Sequence, residues 1–179
     1  MTAAYDHEKC PMSTEIERAR EFYEKAHQAE EQNQSNLAEI YYVKSATLFQ
    51  KIGGMHSIDA AQAFTALSSL RERRGDYSGA LCSAKHSARI MEMQGIEFSS
   101  RRADEIRLQT WSLIGNLYRH MGRYSEAEQI LRHAFDYACT KFGEEDEETT
   151  ITRNQLGSLQ NYIGELEKAE KHDRDVSQR

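Results

Sequence analysis

The sequence predicts an all-α, right-handed α-solenoid of about four helix pairs, on three observations. The only proline among 179 residues is Pro11, so the rest of the chain lacks the strongest helix breaker. Apolar and small residues recur at steps of three and four, the spacing that lines one face of a helix. One turn also returns along the chain. Gly122-Arg123-Tyr124 followed by Ala127 is copied by Gly75-Asp76-Tyr77 with Ala80, by Gly164-Glu165-Leu166 with Ala169 and, most loosely, by Asn33 with Ala38. These four alanines stand 42, 47 and 42 residues apart. A mean hydropathy of -0.79 is low for a globule and suits a stack whose core is a thin seam between helices.

In chain order, residues 1–12 read as a flexible tail and 13–179 as one helical-repeat domain. The first helix starts near Thr14, with Glu17 completing a capping box, and runs to Gln32 on Ala19, Phe22, Tyr23, Ala26 and Ala29. Ser35 is expected to cap its partner, which carries Ala38, Tyr42, Ala46 and Phe49. The third helix spans about Ser57 to Arg74 and the fourth Ser78 to about Gln94, with 95–100 as an inserted junction. The fifth and sixth fill 107–142, where Trp111, Ile114, Leu117 and Tyr118 form one stripe and Ala127, Leu131, Ala134 and Ala138 the other. Between them Gly122 ends one helix, and Ser125 with Glu128 reads as a capping box for the next. The seventh spans about Glu147 to Tyr162. An eighth, nearly polar helix after Gly164 reads as a soluble lid that frays after about Arg174.

Trp111, Ile114, Gly115 and Tyr118, followed by Ala127 and Leu131, match W-x2-[LI]-G-x2-Y…A-x3-[FL] position by position. This resembles a tetratricopeptide (TPR) repeat. Gly115 and Ala127 are read as small because the paired helices approach closely there. The spacing exceeds the usual period of about 34 residues, so extra residues sit at each junction. Two junctions, Ile52-Gly53-Gly54-Met55-His56-Ser57 and Phe142-Gly143-Glu144-Glu145-Asp146-Glu147, resemble the L-G-x-x-H-P-D link of kinesin-light-chain-type repeats through Gly53, Gly143 and His56. The link's proline is replaced by Ser57 and Glu147, and Asp146 stands where the second link would have histidine.

Several chemistries are excluded by composition. The net charge is -6 without a long lysine/arginine block, which argues against nucleic acid. No apolar run approaches the roughly 20 residues of a membrane span, and the first ten residues lack the pattern of a secretory signal. Cys10, Cys82 and Cys139 are odd in number and widely spaced, which fits a reducing cytoplasm rather than a disulfide framework. The seven histidines include no pair three or four apart, so no metal site is expected. Glu144 to Glu148 more simply complements a helix N-terminus than binds calcium. No serine or cysteine stands with a histidine and an acid in a nucleophile motif, so neither catalysis nor a cofactor is expected.

The resemblance implies a concave face built by the first helix of each repeat, at its second, fifth, sixth, ninth, twelfth and thirteenth places. Counted from Gly122 as the fifteenth place these are Gln109, Ser112, Leu113, Asn116, Arg119 and His120. From Gly75 they are Gln62, Thr65, Ala66, Ser69, Glu72 and Arg73. From Gly164 they are Ile151, Asn154, Gln155, Ser158, Asn161 and Tyr162, and the first repeat adds Tyr23, Glu24, His27, Glu30 and Glu31. The candidate peptide-binding residues are Arg73, Gln109, Asn116, Arg119, His120, Asn154, Ser158 and Asn161. The asparagines are suited to gripping a peptide backbone and the arginines to clamping a carboxylate. Thr65 and Ser69 stand where the family's chaperone-tail clamp has lysine and asparagine, so that specificity is not expected. The implied function is a protein-interaction scaffold binding a peptide or helix of a partner, as a monomer or weak homodimer. The alternative is a structural, self-assembling repeat protein.

Overall fold

The computed structural model describes residues 11–53, 57–93 and 100–177, and among them all regular structure is helical. The helices are α1 (Pro11–Glu31), α2 (Ser35–Ile52), α3 (Ser57–Arg73), α4 (Tyr77–Met93), α5 (Arg101–His120), α6 (Tyr124–Phe142) and α7 (Glu147–Ser177). They pair as α1/α2, α3/α4 and α5/α6, with α7 packed against α6 and α5. The odd-numbered helices form an inner layer, since α3 also meets α5 and α5 meets α7. Residues 1–10 of the expected tail, 54–56 of the first link and 94–99 of the expected junction lie outside the described residues.

Three turns share one hydrogen-bond pattern, which explains the recurring sequence. Asn33, Gly75 and Gly122 have φ of 59°, 77° and 71°, left-handed values that glycine and asparagine tolerate best. In each, the next residue's amide reaches back five residues, as Gln34 N to Ala29 O (2.8 Å), Asp76 N to Arg71 O (3.0 Å) and Arg123 N to Tyr118 O (2.8 Å). This closes the outgoing helix in the manner of a Schellman motif.

The same closure corrects the expected caps. Gln34, Asp76 and Arg123 each accept the first bond of the following helix, from Ala38, Ala80 and Ala127. The second helices therefore begin one residue (α2, α4) or two residues (α6) earlier than the sequence suggests, and Ser35 and Ser125 fall inside the first turn rather than at the cap. Neither Gln34 nor Arg123 makes a side-chain cap bond. Asp76 does: its Oδ1 accepts from Gly79 N at 2.9 Å, which holds the carboxyl below the usual carboxylate range. Likewise the described part of α1 already includes Pro11–Glu31, so Thr14 lies within the helix rather than at its start.

The expected eighth helix is absent as a separate element. Gly164 lies inside α7, which runs unbroken for 31 residues to Ser177, so it is not a turn, and the described residues form three pairs and one long helix. The place equivalent to Leu131 is Asp173, and little apolar surface is available in 165–177 to reward folding back. Its Glu, Leu, Lys and Ala residues instead favour continued helix.

Small residues let the layers approach. Ala38, Ala80 and Ala127 are fully buried at the same place of the three second helices, as are Tyr42 and Ala84 with Leu131 nearly so. Ser45 Oγ donates to Ala19 O at 2.8 Å, and 42 residues on, Ser87 Oγ donates to Ala61 O at 2.9 Å. The first two repeats thus keep one register down to a single hydrogen bond. Thr65, Ser87 and Thr110 meet in a buried hydroxyl triangle (2.9, 2.9 and 3.2 Å) joining α3, α4 and α5.

Candidate functional site

The first helices present a polar groove with several depressions, two of which hold six of the eight candidate residues. The N-terminal one is a space of about 200 Å³ between α1, α3 and α5, lined by Tyr23, His27, Glu30, Tyr42, Gln62, Thr65, Ala66, Ser69, Arg73 and Gln109. Here the charges are already spent. Arg73 donates to Glu30, and Tyr42 Oη donates to the same carboxylate at 2.5 Å. Burial and that carboxylate push the Tyr42 phenol well above its ordinary range. Alongside, Arg102 pairs with Asp59 and Gln62, both at 2.7 Å.

The C-terminal depression, about 450 Å³, lies between α5 and α7. Asn116, Arg119, Asn154, Gln155, Ser158 and Tyr162 line it over an apolar floor of Leu131 and Leu159. Among the described residues Arg119 makes no ion pair; its Nη2 stands 3.4 Å from His120 Nε2. Gln155 Oε1 is buried with no hydrogen-bond partner. Both residues line one depression, and a buried amide oxygen without a partner is unusual, because buried polar groups are nearly always satisfied.

Of the eight candidate residues, Arg73 and Gln109 line the first depression and Asn116, Arg119, Asn154 and Ser158 the second. His120 and Asn161 line neither. His120 instead stacks on Tyr77, with ring centroids 4.9 Å apart, and its Nε2 faces Glu72 Oε1 at 3.7 Å across the α3–α5 joint. Burial raises the Glu72 carboxyl above its usual range. Other mapped places turn inward: Ser112 and Leu113 are buried in the packing between helices, and Thr65, at the wall of the first depression, is almost wholly buried too. Asp59 and Arg102 escaped the sequence reading, and the floor residues Leu131 and Leu159 were read as packing positions only. Asp59 and Arg102 belong to the extra turns that lengthen these repeats ahead of their first numbered place. That excess length was the available signal.

No cluster of three or more metal-ligating side chains occurs among the described residues, and no described helix is long and apolar enough to cross a membrane.

Residues 107–178 match the family model of the tetratricopeptide repeat. No curated protein matches the chain. Among solved structures, apo RapI aligns with a TM-score of 0.71 at 16% identity, covering 89% of this chain and 54% of its own. A putative kinesin light chain of Podosopora anserina with nearly identical TPR-like repeats gives 0.66 at 14% identity, covering 89% and 73%. The TPR domain of Arabidopsis OM64 gives 0.56 at 14% identity, covering 80% and 98%. The chain spans about half of RapI. At such identities the likeness is one of fold.

Proposed function

We propose, from the premise that this chain is a tetratricopeptide-repeat solenoid with long repeats of the kinesin-light-chain type, that it is a scaffold whose concave groove holds an extended segment of a partner protein. The observation that carries the reading is the contrast between two arginines. Arg73 is neutralised by Glu30, whereas Arg119 lines the α5–α7 depression and, among the described residues, makes no ion pair, the Glu72 carboxylate feeling its charge only at longer range. An acceptor on the ligand, a backbone carbonyl or an acidic side chain, satisfies Arg119 with a charge-assisted bond. Asn116 and Asn154 donate and accept on either side, which suits a peptide backbone more than any one side chain. A peptide N–H supplies the donor that Gln155 lacks once its carboxamide turns toward the depression. The apolar floor then shields these bonds from water.

The chain acts in this reading as a binding module rather than an enzyme. The free thiols of Cys82 and Cys139 fit a reducing, cytoplasmic setting. Panning a random peptide library against the wild-type chain, and then measuring the recovered peptides against Arg119→Ala with Asn154→Ala, tests the groove. Loss of binding with an unchanged circular dichroism spectrum is expected. Full retention of affinity would place the binding surface elsewhere.

A further inference from the structure

His120 lines neither depression, yet it is the hydrogen-bond neighbour of Arg119, which lines the second. Its Nε2 stands between two opposite charges: Arg119 Nη2 at 3.4 Å on the same helix and Glu72 Oε1 at 3.7 Å on α3. A guanidinium only donates, and a neutral imidazole has a single acceptor nitrogen. The contact with Arg119 is therefore a hydrogen bond only while Nε2 is bare and the ring carries its hydrogen at Nδ1. An ionised Glu72 only accepts, so it needs the opposite, a proton on Nε2. One nitrogen cannot serve both neighbours at once. The ring itself is held in place, lying parallel to Tyr77 within 2° with centroids 4.9 Å apart.

We propose that His120 is a positioning residue for Arg119, and that a proton gained at Nε2 turns the imidazole from Arg119 to Glu72 and frees the guanidinium for a ligand in the α5–α7 depression. The proton comes from solvent, which reaches a side chain that is 35% exposed. The imidazolium then donates to Glu72, has no lone pair left for Arg119 and repels it. The groups around this corner favour the exchange. From α3 come Glu72 and Arg73, the latter already held by Glu30, and from α4 the Tyr77 ring, whose face attracts a cation. Tyr124 of α6 and Tyr162 of α7 bring only phenols to the Arg119 side. Burial raises the Glu72 carboxyl, and of the charges that oppose this rise His120 acts most, ahead of Arg119 and Arg73. Binding through Arg119 accordingly strengthens as pH falls through the imidazole range while Glu72 stays ionised. That last step rests on the groove reading above; the exchange of partners at Nε2 does not.

Two measurements test it separately. In the ligand-free chain, long-range 15N NMR of the histidine rings follows the His120 titration. Its midpoint is expected to fall in Glu72→Gln and to rise in Arg119→Ala, by about half a unit or more each way, with His133 unmoved as the internal control. Midpoints that move together, or stay put, overturn the proposal. The second measurement uses a histidine-free peptide recovered from the library whose binding is lost in Arg119→Ala with Asn154→Ala. Wild-type affinity should be about fivefold or more higher at about pH 5.5 than at about pH 7.5, values set one unit either side of the ordinary imidazole midpoint. His120→Phe keeps a ring on Tyr77 without Nε2 and should bind at both pH values as tightly as the acidified wild type. His120→Gln offers Arg119 an acceptor that never titrates and should stay at the weaker level throughout. A pH response that persists in either variant overturns the proposal. Peptides that all ignore Arg119 would defeat the groove reading instead, and opposed midpoints would still establish His120 as the group that positions Arg119.

Discussion

Gly115 of α5 lies so close to Leu131 of α6 that a Cβ on the glycine would stand 2.6 Å from Leu131 Cγ and 2.7 Å from its Cδ2. Leu131 is 1% exposed and has nowhere to retreat. Gly157, at the matching place of α7, has no atom within 4 Å of its would-be Cβ, because α7 continues outward instead of receiving a second helix. The two glycines therefore respond oppositely to one methyl group. Gly115→Ala is expected to overpack the pair and destabilise by about 1–3 kcal/mol. Gly157→Ala should stabilise by about 0.5–1 kcal/mol through helix propensity alone. Urea denaturation of both variants checks this. Equal effects would mean the α5–α6 contact is not as close as described.

A second contrast concerns Gly122 and Gly164, which carry the same sequence signature. Gly122 has φ of 71° and ends α5, so Gly122→Ala forces a left-handed alanine at a cost of about 1–2 kcal/mol. Gly164 is interior to α7, and Gly164→Ala is expected to raise stability by up to about 1 kcal/mol. Matching losses in thermal melts of the two would show that Gly164 forms a turn in solution and that α7 is two helices.

That contrast also marks how far the sequence could be read. Asn33, Gly75 and Gly122 were legible as turns because a left-handed residue, a closing hydrogen bond and a buried alanine five residues later depend on local backbone geometry. Gly164 has the local signal but lacks the long-range reward, since Asp173 replaces the leucine that would pack on Gly157. The fates of Arg73 and His120 were hidden for a similar reason. Their places on a first helix could be counted, but Glu30 and Glu72 reach them from neighbouring repeats, and that pairing follows from superhelical geometry. Arg119 was counted by the same rule, and Glu72 from the neighbouring repeat acts on it only through space, without forming an ion pair.

Those two arginines also separate by their effects on stability. Arg73→Ala removes one partner of Glu30, whose side chain is only 18% exposed, and is expected to lower stability by up to about 1 kcal/mol, with the loss shrinking in high salt. Arg119→Ala removes no ion pair and should leave the melting temperature unchanged. Melts at low and high ionic strength check both. A substantial loss on Arg119→Ala would reveal a structural duty for that side chain and weaken its assignment to ligand binding.

Alkaline pH provides the last test, through the joint between α5 and α6. Tyr137 Oη donates to Asp104 Oδ1 at 2.5 Å, and Asp104 is 4% exposed. Arg107 donates to the same oxygen at 2.7 Å and to Tyr137 Oη. Burial first, and then the hydrogen bond to a carboxylate, push the Tyr137 phenol up from 10.0 to about 12, against the opposing pull of Arg107. A phenol raised in the folded state stays protonated while the unfolded chain already ionises. Its contribution to stability is therefore fully present below pH 10 and is lost as pH climbs through about 12. Tyr42 and Tyr23, raised mainly by burial, add to the slope in the same direction. Stability measured by urea denaturation should be flat with respect to this group up to about pH 9 and fall steeply beyond 10. Tyr137→Phe should be less stable at neutral pH, having lost the bond to Asp104, and should show a shallower alkaline fall. An equally steep fall in Tyr137→Phe would assign the alkaline loss to other groups and remove Tyr137 from the joint's titration.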